Sequence, residues 1–197
     1  MLGWAIDWQR GDDQRLRITE PTDAEVADAA PRLASFYNDP HNRRLLANTI
    51  TLSEADVLDV YRDCRAAGGH PLLLWRNGVL VGDADLRRVD VAARTAEFAI
   101  LIGDGAQQGQ GLGTRFAVMA HAFAFATLGF GRLYIAIVAN NAGSRRLFGK
   151  LGYEPDDSAA ARAGADVPED VTLSCSRERF ESLWGTATVD VRVARRA

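Results

Sequence analysis

The chain has 197 residues, of which 47% are hydrophobic and 25% charged, and its formal net charge is −3. These values are typical of one globular domain with a sizeable core, so we expect residues 1–197 to form a single domain. The slightly acidic balance argues against a nucleic acid or an anionic membrane as partner, and it is compatible with a cationic small molecule.

Several other classes of protein are disfavoured by local features. Cys64 and Cys175 are the only cysteines and form no paired motif, so we expect reduced thiols and a cytoplasmic location. The N-terminus lacks a basic start and a long apolar run, so no signal peptide is expected. The apolar stretch 116–130 is too short for a membrane span. A metal site is not expected, because no ligand-like spacing links the three histidines, His41, His70 and His121.

The N-terminal third predicts a strand hairpin followed by two helices. Residues 1–14 contain an alternating strand and a turn at 11–13, and residues 15–19 form a second strand. Thr22 or Asp23 should cap a helix that ends near Tyr37. A loop is expected over residues 41–51. Ser53 should then begin a second helix, which ends at the glycines 68–69.

The rest of the chain alternates between strands and helices. Residues 72–75 and 79–86 should pair around Asn77-Gly78, a strong hairpin signal, and residues 95–102 form a central strand. A helix follows Gly113, with His121 expected as a core residue. Then come a strand at 132–138, a helix, a loop at 156–170, a strand at 171–175 and a helix at 177–184. The tail, 185–197, alternates like a strand, which either pairs with the N-terminal strand or joins a partner subunit as a homodimer.

A glycine-rich turn separates the central strand from the helix that follows it, and it reads Gln108-Gly109-Gln110-Gly111-Leu112-Gly113-Thr114. Glycines let a backbone approach a phosphate closely, and the free N–H groups of a helix N-terminus attract an anion. The Walker pattern fails, because Gly113 is not followed by lysine. The dinucleotide fingerprint also fails, because Thr114 stands where a third glycine is needed. The pattern that fits is Gln-x-x-Gly-x-Gly; a plain turn is the alternative.

A second motif lies one helix and one strand downstream. It reads Asn140-Asn141-Ala142-Gly143-Ser144 and continues to Phe148 and Gly152-Tyr153. The two motifs, in this order, resemble the signatures of the GNAT acetyltransferase superfamily over about residues 15–184. The overall layout is similar to the branch of ribosomal-protein N-terminal and polyamine acetyltransferases. The resemblance implies an α/β (α+β) fold, with a mixed, mostly antiparallel sheet whose central strands splay apart and are flanked by helices.

The resemblance also implies the co-substrate and its site. Acetyl-CoA would bind with its pyrophosphate in the glycine turn and its pantetheine arm along the central strand. The implied contacts are Ile100, Leu101, Ile102, Gln108, Gly109, Gln110, Gly111, Leu112, Gly113, Thr114, Asn140, Asn141, Ser144 and Phe148. For Asn140 and Asn141, a helix N-cap is an equally sensible role. The region between the first two helices usually lines the acceptor pocket in this superfamily, which makes His41, Asn42, Arg43, Arg44 and Asn48 the candidates here; a solvated surface loop is the alternative.

Acetyl transfer to an amine needs a polarised carbonyl, a proton acceptor and a proton for the thiolate. The Leu101 backbone N–H is the expected oxyanion donor. Glu97, in an apolar strand, has a position similar to that of the general-base glutamate in histone-acetylating members. The alternative is a solvent-facing or ion-paired strand residue, with a water chain acting as the base. The tyrosine that usually protonates the thiolate is replaced by Phe148, which has no hydroxyl. Ser144, Tyr153 or water could serve instead.

The sequence therefore predicts an acetyl-CoA-dependent N-acetyltransferase without a metal. Its acceptor is left open between a protein α-amine, a small amine and an amino sugar. The missing tyrosine keeps one alternative from another class, a non-catalytic module that binds or senses acyl-CoA.

Overall fold

The computed structural model describes residues 3–9, 15–46 and 49–196. In these ranges one sheet contains nine strands in the order β7-β8-β6-β5-β4-β3-β2-β1-β9. Neighbouring strands are antiparallel except for the parallel pair β5 and β6. The strands are β1 (Trp4–Gln9), β2 (Arg15–Thr19), β3 (His70–Arg76), β4 (Val79–Asp90), β5 (Thr95–Ile102), β6 (Arg132–Ile137), β7 (Glu154–Pro155), β8 (Val171–Ser176) and β9 (Val191–Arg195).

Helices cover both faces of this sheet. They are α1 (Asp23–Asn38), α2 (Pro40–Leu45), α3 (Glu54–Ala66), α4 (Leu112–Ala122), α5 (Ala142–Leu151), α6 (Ala159–Arg162) and α7 (Arg177–Thr188). One core packs α4, α5 and α7 against the sheet, and a second packs α1 and α3 against the opposite face. The expected mixed sheet flanked by helices is confirmed. In the described part of the chain, no helix is long and apolar enough to cross a membrane.

The two central strands separate after a short pairing. β5 pairs with β6 only where residues 95–97 meet residues 132–134, although β5 continues to Ile102 and β6 to Ile137. Beyond Glu97, the edge of β5 that faces β6 therefore has no strand partner. This is the splay that the family resemblance implied, and it leaves backbone groups free to pair with an extended ligand.

Helix starts follow the capping residues in the sequence. Thr22 and Ser53 each form a capping box, with Glu25 and Asp56 respectively. In such a box the hydroxyl accepts from a backbone N–H of the first turn, while the acidic side chain accepts from the cap residue's own N–H. These interactions explain why the two predicted helices begin where they do.

Three predicted segments differ from the structure. Residues 41–51 were expected as a loop, but α2 forms there because Asp39 accepts from the first N–H groups and Pro40 suits the first turn. The predicted loop 156–170 contains α6, capped by Ser158. The tail strand is shorter than residues 185–197, because α7 extends to Thr188.

The tail strand pairs with the N-terminal strand of the same chain. β9 runs antiparallel to β1, with Trp4 opposite Arg195 and Trp8 opposite Val191. Of the two possibilities left open by the sequence, pairing within the chain is therefore the one observed. The predicted turn at residues 11–13 lies outside the described residues.

Candidate active site

The glycine turn adopts a backbone that requires glycine at two positions. Gly109 and Gly111 have φ angles of +73° and +76°, a region in which other residues are strained. A Cβ at either position would meet no atom within 4 Å, so the space beside the turn is open. Gly113 has a different role: a Cβ there would lie 2.8 Å from Leu147 Cδ1, so this glycine lets α4 pack against α5.

The N-terminus of α4 is suited to an anion. Gly111 is its N-cap residue, and no side chain caps the helix there. The N–H groups of the first turn therefore lack the side-chain acceptor that starts α1 and α3, and the helix dipole adds positive potential at this end. Open space next to uncapped N–H groups can hold a phosphate.

The side chain of Gln108 ties the turn to its surroundings. Its Nε2 donates to the carbonyl of Ile102 at 2.7 Å and to Asn42 Oδ1 at 2.9 Å. Asn42 is 1% exposed, and its Nδ2 donates to the carbonyls of Phe36 and Gly103. We call the Asn42–Gln108 pair the latch, because it joins α2, the end of β5 and the glycine turn.

The second motif forms the start of α5. Asn141 is the N-cap, its Oδ1 accepting from the Ser144 N–H at 3.0 Å and its Nδ2 donating to the Leu45 carbonyl. Phe148 is 5% exposed and packs edge-on against Phe98 and Tyr153 in the core. The pantetheine contacts predicted for Asn140, Asn141, Ser144 and Phe148 stay predictions.

His121 and Tyr153 use their polar atoms on each other. His121 is fully buried, with Nδ1 2.7 Å from the Ala117 carbonyl and Nε2 2.8 Å from the Tyr153 hydroxyl. Burial lowers the pKa of His121 to about 4, so the ring is neutral near pH 7. This histidine lies in the core, as expected. The Tyr153 hydroxyl is also buried in this pair, which argues against a role in protonating a thiolate.

A cavity of about 340 Å³ lies on the α1 side of the sheet, next to the splayed part of β5. Its walls combine apolar side chains with three carboxylates. The lining residues are Tyr37, Leu46, Ile50, Leu52, Asp83, Ala84, Asp85, Arg87, Ala99, Ile100, Leu101 and Asp166. We call it the acidic cavity.

Asp83 lines the acidic cavity and is held in place by two phenols. It is 5% exposed, and its Oδ2 accepts from the Tyr37 hydroxyl at 2.5 Å and the Tyr61 hydroxyl at 3.0 Å. Burial raises the pKa of Asp83 to about 6, although the two phenolic hydrogen bonds oppose this shift. Asp83 lies directly opposite Leu101 in the β4–β5 ladder.

Asp85 lies two residues further along β4, on the same face and opposite Ala99. Its Oδ1 is buried without a hydrogen-bond partner among the described residues, and the nearest cation, Arg87 Nε, is 3.7 Å away. The side chain as a whole is 25% exposed. Burial raises the pKa of Asp85 to about 7, and the neighbouring carboxylates of Asp83 and Glu97 add to the shift.

Glu97 is enclosed by cations. It is 4% exposed, with Oε1 2.6 Å from Arg87 Nη2 and Oε2 2.8 Å from Arg88 Nε. The loop after α6 covers it so closely that a Cβ on Gly164 would lie 2.7 Å from Oε2. Its role as the base stays a prediction, but its carboxylate is already occupied by two guanidinium groups.

The predicted acceptor residues occupy the predicted segment but do not line the acidic cavity. Asn42 is buried in the latch, His41 and Arg44 are exposed, and Arg43 donates to the Thr49 carbonyl. Asn48 lies outside the described residues. The segment instead contributes Leu46, Ile50 and Leu52. Sequence reasoning missed Asp83 and Asp85, for which the signal was two aspartates at alternate positions in an apolar strand.

The comparisons with known proteins show which family the chain belongs to. The family model for the acetyltransferase (GNAT) domain matches residues 15–154, so the chain belongs to the GNAT acetyltransferase family. No curated protein matches the chain in sequence.

Solved structures share the fold at low sequence identity. The Mycobacterium smegmatis RimJ in complex with CoA-disulfide has a TM-score of 0.72 at 12% identity, covering 98% of this chain and 99% of that one. The aminoglycoside acetyltransferase AAC(6')-Ib in complex with coenzyme A has a TM-score of 0.68 at 16% identity, covering 85% and 98%. The spermidine N-acetyltransferase from Vibrio cholerae, in complex with CoA and spermine, has a TM-score of 0.68 at 14% identity, covering 84% and 97%.

Proposed function

We propose that the protein transfers an acetyl group from acetyl-CoA to a primary amine by direct attack of the amine on the thioester. The observation that carries the proposal is the position of the splayed edge of β5. The C-terminal end of β5 leads into the glycine turn, and Ala99, Ile100 and Leu101, close to that end, line the acidic cavity. A thioester lying along this edge would have its pyrophosphate at α4 and its acetyl group beside the cavity.

The cofactor contacts follow from this placement. The N–H groups at residues 109–114 would bind the pyrophosphate, and backbone groups of Ile100, Leu101 and Ile102 would pair with the pantetheine amides. Holding the thioester and the amine on one rigid sheet supplies the proximity on which such a transfer depends.

The acidic cavity favours a small cationic amine over the other acceptors. Asp83, Asp85 and Asp166 line it, whereas the guanidinium of Arg87 lies closest to Glu97. Carboxylates attract an ammonium group, and the apolar wall of Leu46, Ile50 and Leu52 suits an alkyl chain. The RimJ, aminoglycoside and spermidine enzymes named above support amine acetylation as the class of reaction. Their sequence identity to this chain is too low to identify its acceptor.

Glycine-turn binding is tested by calorimetry with CoA. Gly111→Asp should abolish measurable binding, because it adds a carboxylate where the pyrophosphate would lie. Gly68→Asp is the matched control: Gly68 also has a positive φ, +78°, and open space around a Cβ, but it lies beyond the end of α3. Wild-type affinity in Gly111→Asp would refute the assignment of the turn.

A second candidate function is a non-catalytic acyl-CoA binding module. The observation that favours it is Phe148, with no hydroxyl at the usual tyrosine position, together with the use of the Tyr153 hydroxyl by His121. The two functions are separated by assaying CoA release from acetyl-CoA with a diamine, an aminoglycoside and a short peptide. Turnover with any of them excludes the binding module, whereas CoA binding without turnover excludes the transferase.

A further inference from the structure

The carboxylates along β4 and β5 lie at different distances from the expected position of the acetyl group. Asp83 is directly opposite Leu101, Asp85 is opposite Ala99, and Glu97 is opposite Arg87. At about 3.3 Å per residue, Asp85 is about 7 Å along the ladder from Leu101, and Glu97 is about 13 Å away. Asp85 is therefore closer to the reacting end of the splayed edge than the glutamate identified from the sequence.

The three carboxylates also differ in their partners. Asp83 Oδ2 accepts from two phenols. Glu97 Oε2, like Asp85 Oδ1, is buried without a hydrogen bond among the described residues, but Glu97 has an arginine nitrogen 2.6 Å from Oε1 and another 2.8 Å from Oε2, whereas the nearest cation to Asp85 is 3.7 Å away. Asp85 has no hydrogen-bond partner on its buried oxygen among the described residues, yet its side chain lines the acidic cavity. A buried carboxylate oxygen without a donor is costly when charged, so this group gains from taking up a proton.

We infer that Asp85 accepts the proton that the acceptor's ammonium group must lose before it attacks the thioester. The inference rests on the proposed function. Asp83, fixed by Tyr37 and Tyr61, acts as a positioning residue that adds negative charge beside the incoming ammonium group. Glu97 serves to hold Arg87 and Arg88.

The electrostatic surroundings of Asp85 support this role. A base works best when its pKa lies near the working pH, and burial raises the pKa of Asp85 to about 7. The cation Arg87 opposes the shift, and the anions Asp83 and Glu97 increase it. The titratable groups that face Asp85 from the surrounding elements are Asp83 and Arg87 on β4, Glu97 on β5, Tyr37 on α1, Tyr61 and Cys64 on α3, and Asp166 in the loop after α6.

The protons and bonds balance as follows. The acceptor ammonium gives one proton to the Asp85 carboxylate and becomes a neutral amine. The amine nitrogen attacks the thioester carbon, forming the C–N bond, and the C–S bond then breaks. The nitrogen's second proton is lost to solvent, the CoA thiolate takes one from solvent, and Asp85 releases its own proton to solvent before the next turnover.

The test compares pH profiles of kcat/KM for three variants, with acetyl-CoA and the amine that the wild type acetylates best. Asp85→Asn should lower kcat/KM by about 10²–10⁴-fold and remove the acidic limb of the profile. Asp166→Asn, which removes a different carboxylate of the same cavity, should keep the limb. Glu97→Gln should also keep the acidic limb, because Glu97 holds Arg87 and Arg88 in place and does not take the proton.

Calorimetry with CoA, run on the same variants, separates loss of chemistry from loss of fold. Asp85→Asn should bind CoA with wild-type affinity, since Asp85 lies on the acceptor side of the sheet. Wild-type turnover with an unchanged acidic limb in Asp85→Asn would overturn the inference while leaving the proposed function intact. A limb that disappears in Glu97→Gln would assign the proton to Glu97. CoA binding without turnover by the wild type would overturn both the inference and the proposed function.

Discussion

At the scale of single residues, Phe148 shows how a motif position can serve the core. Its ring is 5% exposed, and its centroid lies 6.2 Å from that of Phe98 and 5.1 Å from that of Tyr153. The sequence shows that this position lacks a hydroxyl, but it did not predict this packing, since the family pattern alone implies contact with the pantetheine arm. The proton for the CoA thiolate is therefore expected from solvent, because a thiol with a pKa of about 8.5 is already partly ionised near neutral pH.

The first prediction concerns this ring. Phe148→Ala should lower the free energy of unfolding by about 3–5 kcal/mol, because it opens a cavity among buried aromatic side chains. Urea denaturation measures the loss, and Phe148→Leu should lose less because it keeps most of the apolar volume. Unchanged stability combined with weaker CoA binding would instead place the ring in the cofactor channel.

Other single residues separate what sequence can predict from what it cannot. Thr22 and Ser53 act locally as caps, and the glycine turn is a local motif, so pattern reasoning reached them; it did not predict the positive φ of Gly109 and Gly111. The hydrogen-bond partners of Asp83 and Asp85 depend on which strands and helices pack around them. Nothing within β4 alone shows that two tyrosines from α1 and α3 would meet one aspartate and leave the other without a donor.

At the scale of elements, α2 and the glycine turn are coupled through the latch. From the sequence, Asn42 was assigned to an acceptor loop. Its burial could not be predicted, because it depends on hydrogen bonds to the carbonyls of Phe36 and Gly103. Gln108 was assigned to the CoA site, yet both hydrogen bonds of its Nε2 go to protein oxygens. We therefore expect the latch to affect CoA binding through the shape of the turn.

The second prediction tests that coupling. Gln108→Ala should weaken CoA binding only partially, because the backbone donors of the turn remain. Asn42→Ala should also destabilise the fold by about 1–3 kcal/mol, because it leaves buried carbonyls without a donor. A double-mutant cycle of unfolding free energies should give a coupling of about 0.5–3 kcal/mol between the two positions. Additive effects would contradict a direct role for the Nε2–Oδ1 hydrogen bond.

At the scale of the whole molecule, buried titrating groups make stability depend on pH in opposing ways. The raised pKa values of Asp83 and Asp85 mean that the folded chain holds more protons than the unfolded chain, so their stabilising effect is complete below about pH 4. It is lost as the pH rises through 6 and 7. His121 has a lowered pKa, so its effect is complete above pH 6.5 and is lost as the pH falls towards 4.

The third prediction isolates the Asp85 contribution. Asp85→Asn should be more stable than the wild type at pH 8 and similar to it at pH 4. The difference should be at most about 4 kcal/mol, since a shift from 3.8 to about 7 is roughly three pKa units. Urea titrations at the two pH values measure it, and His121 cancels because both proteins contain it. An equal stability at pH 8 would mean that Asp85 is not desolvated in solution.

The architecture as a whole was more predictable than the site. Helix and strand periodicity repeats over many residues and so located most of the elements, whereas the mixed sheet and its splay were implied by the family resemblance of the two motifs. The bounds of α2, α6 and β9 were missed, because each depends on a few contacts made after folding.

The pairing of β9 with β1 has a consequence for how the protein is made. These strands come from opposite ends of the chain, with Ala5 facing Ala194, and β9 is synthesised after every other described strand. Until it emerges from the ribosome, the outer edge of β1 carries unpaired N–H and C=O groups. A nascent chain in this state can pair wrongly with a neighbour, so slow synthesis or truncation before residue 191 should promote aggregation even though every element of the proposed active site has already been made.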